Sequence, residues 1–107
     1  MAKGVPVQIF RNNWTVLVTK SPKDLIVNNK QCKGCIVYKD SVIFLDENLS
    51  DKDRLRVLRH EVAHALLYET QISQKDCYTE EELCDFMAIY SPMVEEIVAE
   101  ILKRMRG

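Results

Sequence analysis

His60-Glu61-Val62-Ala63-His64 is the stretch of this chain whose residue types and spacing are fitted to chemistry. On a helix, residues four apart stand one above the other, so both imidazoles can reach one cation. Glu61 then lies beside the metal rather than on it, placed to take a proton from a metal-bound water. The competing reading is a solvated helix face that happens to carry two histidines. A chance HExxH should arise in well under about 1% of chains this short. The chain holds 2 histidines, and both are in the motif. Val62 lies about 200° around the helix from His60, so the core face and the histidine face are opposed. A ligand pair facing a cleft requires that arrangement; amphipathicity alone does not.

Zinc in such a site takes a third protein ligand and keeps its fourth position for water or substrate. A continuation to HExxHxxGxxH would supply a histidine, but those positions hold Leu67 and Thr70. The third ligand is therefore expected to be a carboxylate or a thiolate. Its obvious source is the acidic run Glu80-Glu81-Glu82-Leu83-Cys84-Asp85. There are 4 cysteines, Cys32, Cys35, Cys77 and Cys84. Cys32-Lys33-Gly34-Cys35 is a lone CxxC that runs into the apolar Ile36-Val37-Tyr38 rather than opening a helix, and no second pair matches its spacing. That pattern favours plain thiols in a turn over a zinc ribbon or a redox motif. Cys84 or Cys77 remains the thiolate alternative for the metal.

The elements that must position these residues divide into two halves. Val5 to Phe10 reads as a weak strand with Pro6 favouring an edge, and Trp14 to Thr19 as the clearest early strand. Ser21-Pro22-Lys23-Asp24 is turn chemistry, and the polar stretch to Gly34 reads as loop. Cys35–Tyr38 and Val42–Leu45 flank a short connection and form a hairpin. Ser50 then caps a helix to about Tyr68, with Leu55, Leu58, Val62 and Leu66 as its buried stripe. Thr79 and Glu82 form a capping box for a second helix that turns Leu83, Phe86 and Met87 inward and ends near Tyr90. Ser91-Pro92 starts a last helix to about Met105. Strands first and helices after give an α+β domain, with an antiparallel sheet of about three strands followed by three helices.

Composition sets the outer limits. The 107 residues suit a single domain, and 47% hydrophobic with 29% charged residues is an ordinary balance for a soluble protein. A net charge of −1 with no basic stripe argues against a nucleic-acid partner. No apolar window is long enough to span a membrane, and Met1–Pro6 does not read as a signal peptide. A cytoplasmic location with free thiols is the expectation.

HEVAHALL, followed by a short insertion and an EExxxDxxA-like helix, resembles the gluzincin pattern. At this length the chain looks like the minigluzincins and the ImmA/IrrE-type, often phage-associated, metallopeptidases, over roughly residues 42 to 88. The resemblance implies a zincin-like fold, Zn2+ as cofactor, and hydrolysis of peptide bonds in a protein or peptide substrate, a regulator among the options. It implies His60 and His64 as zinc ligands, Glu61 as general base, Glu81 as third ligand, and Asp85 orienting a ligand histidine through its other ring nitrogen. Where the ImmA/IrrE pattern has alanine before that aspartate, this chain has Cys84. Helix geometry agrees on the glutamates: Glu82 is taken up in capping and Glu80 points to solvent, which leaves Glu81 one turn from Asp85. The resemblance further implies a substrate strand along the sheet edge, placed at Val42 to Leu45, and an oxyanion helper among Tyr68, Tyr78 and Tyr90. The alternative function is a silent or latent zinc-binding interaction module, with the last helix covering the metal.

Overall fold

Alternation of apolar and polar residues builds the sheet, and one of its faces makes the core. The computed structural model describes residues 3–70 and 78–106. Strands β1 (Lys3–Ile9) and β2 (Asn12–Thr19) pair antiparallel. A 3-10 turn (Pro22–Leu25) and a two-residue ribbon, β3 (Ile26–Val27) with β4 (Lys30–Gln31), lead to β5 (Gly34–Val37) and β6 (Val42–Asp46). The main sheet has the order β1-β2-β6-β5. β6 runs antiparallel to β5 but parallel to β2, so the sheet is four-stranded and mixed rather than antiparallel with three strands.

That order corrects one expectation. Val42 to Leu45 is not an edge but a central strand, flanked on both sides. The physical reason is its backbone pairing, with β2 on one side and β5 on the other, and the continuous apolar run Val42-Ile43-Phe44-Leu45 suits a strand in a parallel pair. Ile43 and Leu45 are fully buried, and Val42 and Phe44 half-buried. The edges are β1, where Pro6 needs no ladder partner, and β5.

Helix α1 (Asp51–Glu69) starts where Ser50 accepts the Asp53 N–H at 3.2 Å. It lays Val57, Leu58, Val62, Ala65 and Leu66 on Val5, Val7, Ile9, Trp14, Val16, Ile43 and Leu45 of the sheet. The stripe is wider than its sequence pattern suggests, and Leu55 is only partly buried. Trp14 and Asn12 both donate to the Glu69 carboxylate, the indole at 2.8 Å, which ties the end of α1 to β2.

Helix α2 (Glu80–Arg106) is continuous over 27 residues, with Pro92 inside it. The expected break at Ser91-Pro92, and with it a separate third helix, is absent. Proline removes one N–H and leaves the Ala88 carbonyl without its helical partner. Both residues are exposed, so water can satisfy that carbonyl and the helix runs on. Its second half packs into the shared core through Val98 and Ile101, and Arg104 donates to the Pro6 carbonyl at 2.6 Å. Its first half runs past the sheet. Leu83 and Met87, expected to point inward, are 48% and 63% exposed, on a part of the unbroken helix that no described strand covers. Phe86 is half-buried against Tyr90, at 4.9 Å between ring centroids. No helix among the described residues is long and apolar enough to cross a membrane.

Candidate metal centre

The motif is displayed by one helix whose opposite face is core. His60 is exposed and His64 half-buried, while Glu61, on the flank of the buried stripe, is only 6% exposed. The two Nε2 atoms are 3.1 Å apart, with ring planes at 77°. Tetrahedral zinc at about 2.0–2.1 Å from each nitrogen would hold them roughly 3.3–3.4 Å apart. The side chains therefore stand close to a ligand geometry already. Ligand atoms of His60, Glu61 and His64 all lie within 4.8 Å of one another, which is the group able to hold a metal among the described residues.

The electrostatics suit the roles. Burial, and then the nearby His60, pull the His64 imidazole below its usual range, which favours the neutral form a metal needs. Burial pushes the Glu61 carboxyl above the usual carboxylate range, against a smaller opposite pull from His60. A carboxylate held at higher proton affinity is a better base.

Glu61 opens onto a cleft of about 290 Å³ lined by Lys33, Gly34, Arg56, Val57 and His60. Gly34 is required there by space. A Cβ on it would lie 2.5 Å from Val57 Cγ1 and 3.4 Å from a Glu61 carboxylate oxygen. The edge strand β5 thus passes against α1 at the residue next to the ligand pair. Lys33 and Arg56 both approach Asp53, at 3.5 and 3.7 Å.

Sequence reasoning singled out neither Gly34 nor Tyr38 as site residues. Burial and the Glu61 charge push the Tyr38 phenol upward, and Tyr38 stacks on Tyr68 at 4.7 Å. Glycine at the start of an apolar strand was a readable signal; Tyr38 had none beyond its place at the strand's end. Of the tyrosines named from sequence, Tyr68 is exposed beside Tyr38, and Tyr78 and Tyr90 are half-buried. Among the described residues, neither Glu81 nor Asp85 joins the metal group; both are exposed on α2. The capping box is present as expected: Thr79 Oγ1 accepts the Glu82 N–H at 3.1 Å and Glu82 accepts the Thr79 N–H at 3.2 Å.

Cys32, Cys35 and Cys84 are free thiols, and Cys77 lies outside the described residues. Cys35 is buried, its thiol pushed up chiefly by that burial and donating to the Asp24 carbonyl at 3.0 Å, so it is a poor thiolate source. Cys84 is exposed and outside the metal group. Comparison with protein-family models, curated proteins and solved structures returned no match to this chain.

Proposed function

We propose that this chain is a zinc-dependent metallopeptidase of zincin-like build, acting on a protein or peptide substrate. The observation that carries the reading is the convergence of the His60 and His64 Nε2 atoms, 3.1 Å apart, beside a buried glutamate. His60 and His64 would hold the metal, and Glu81 is the proposed third ligand with Asp85 orienting a histidine. Zinc, when bound, supplies Lewis acidity toward water and a carbonyl oxygen. Glu61 does the proton work. Its carboxylate oxygen accepts a proton from water in the cleft, and returns one to the departing amine. A structural metal site has no need of that glutamate.

Substrate positioning falls to β5. The Asp46 N–H bonds to the Lys33 carbonyl, so in this antiparallel pair the Gly34 and Ile36 peptide groups turn away from β6. An extended peptide added to that edge would pass the Glu61 carboxylate at Gly34. This replaces the edge first assigned to Val42–Leu45. The test is hydrolysis of an unstructured protein by the zinc-loaded chain. Glu61→Gln should keep the metal and lower turnover by about 10²–10⁴-fold. Unchanged turnover in that variant would remove Glu61 from the chemistry.

A further inference from the structure

We propose that the groove between the open edge of β5 and α1 selects its peptide at both ends, for an acidic side chain at Lys33 and Arg56 and for an aromatic one at Tyr38 and Tyr68. The inference rests on the metallopeptidase reading above and names the substrate class of the same site.

Three contacts fix how β5 lies along the helix. Lys33 reaches Asp53 at 3.5 Å, a Cβ on Gly34 would meet Val57 and Glu61, and Tyr38 stacks on Tyr68 at 4.7 Å. Strand and helix therefore run in the same direction. Arg56, His60, His64 and Tyr68 stand at four-residue intervals on α1, a row that winds by about 40° per step. Around the helix the row lies on the other side of Glu61 from Leu58 and Val62, so it borders the open edge of β5 rather than the core. The row spans about 18 Å from Arg56 to Tyr68, and the chain from Lys33 to Tyr38 about 16 Å. The histidines sit between the two ends.

The ends differ in chemistry. At one, Lys33 and Arg56 both approach Asp53, and their side chains are 56% and 65% exposed. Two cations on one carboxylate leave positive charge at the rim of the cleft, while Glu61 is buried. A carboxylate from a bound peptide completes that pairing. At the other end, Tyr38 and Tyr68 are both exposed, and Trp14 stands edge-on to Tyr68 at 6.4 Å. Exposed rings backed by a buried one form a shelf for a further aromatic side chain. Antiparallel addition, the stronger pairing, puts the C-terminal side of the peptide at Lys33 and its N-terminal side at Tyr38. Side chains turned towards α1 alternate along an extended peptide, so an aromatic residue four or six positions before an acidic one meets both ends.

The probes are two fluorescein-labelled, C-terminally amidated peptides with phenylalanine four or six positions before glutamate. Their binding to the metal-free full chain is read by fluorescence anisotropy. Lysine in place of the peptide's glutamate should weaken binding by about fivefold at low salt, and by less at high salt. Arg56→Glu, on the exposed rim, should reverse that preference. Serine in place of the peptide's phenylalanine should weaken binding to the wild-type chain but not to the Tyr68→Ser variant. Equal binding of the glutamate and lysine peptides overturns the acidic end, and equal binding of the phenylalanine and serine peptides overturns the aromatic end. Selective binding without hydrolysis once zinc is loaded keeps the groove and removes the peptidase reading. Hydrolysis of an unstructured protein without either preference does the reverse.

Discussion

Helix α1 and the first half of α2 carry the two motifs of this chain, and the fold treats them in opposite ways. On α1, every requirement is local. Four-residue spacing stacks the imidazoles, and the same periodicity buries Leu58, Val62 and Leu66 on the far side. The helix is pinned at its start by Ser50 and at its end by Glu69. In α2 the local requirements are met as well, down to the capping box of Thr79 and Glu82. What is missing among the described residues is a surface that buries Leu83 and Met87. A motif whose geometry is internal to one helix is therefore assembled, whereas a motif that needs a second element brought to it waits on tertiary placement.

Core truncations should break the symmetry between the two helices most strongly. Leu58→Ala, at a position with no exposure, should cost about 2–5 kcal/mol. Leu83→Ala, the same change on the exposed half of α2, should stay within roughly 0.5 kcal/mol in metal-free protein. Denaturant unfolding measures both, and a large loss at Leu83 would mean that its face is covered. Gly34→Ala comes next, since its Cβ would meet Val57 Cγ1 at 2.5 Å. Overpacking of this kind costs about 1–3 kcal/mol, and it should lift β5 from α1 beside Glu61. An unaffected Gly34→Ala variant would show that the strand does not pass so close.

The smallest expected effect is one of pH. Burial raises the Glu61 carboxyl above its unfolded value of 4.5, so its contribution to stability is fully present below that value and lost as pH rises through the folded one. At neutral pH the buried charge therefore weakens the metal-free fold. Glu61→Gln should melt higher than wild type near pH 7, and the advantage should vanish near pH 4. His64 has the opposite sign: its lowered value gives stability above about 6.5 that is lost as pH falls through the folded value. A Gln variant less stable at neutral pH would contradict the burial assigned to Glu61.

The legible parts of the chain are those written in nearest neighbours. Both helix starts, the four strands of the main sheet and the histidine pair follow from caps, alternation and spacing, whereas the β3–β4 ribbon lies in the stretch read as loop. Strand order does not, because β6 reaches the sheet centre only through a parallel pairing with β2, contacts 27 residues apart in the sequence. Its two-faced apolar composition was the available clue. Pro92 misled for a different reason. Ser-Pro marks a helix start in isolation, yet α2 carries its proline inside, at the expense of one N–H and of a steric conflict with the Ala88 carbonyl. Glu61 was read as beside the metal; that it is also buried depends on β5 crossing at Gly34, which no local pattern encodes.

The central claim is that His60 and His64 hold a metal, and zinc titration of wild type, His60→Ala, His64→Ala and the double variant tests it most directly. Wild-type protein should bind about one zinc per chain, each single variant should lose that binding, and the double variant should retain none. Full zinc occupancy in the double variant would contradict the account.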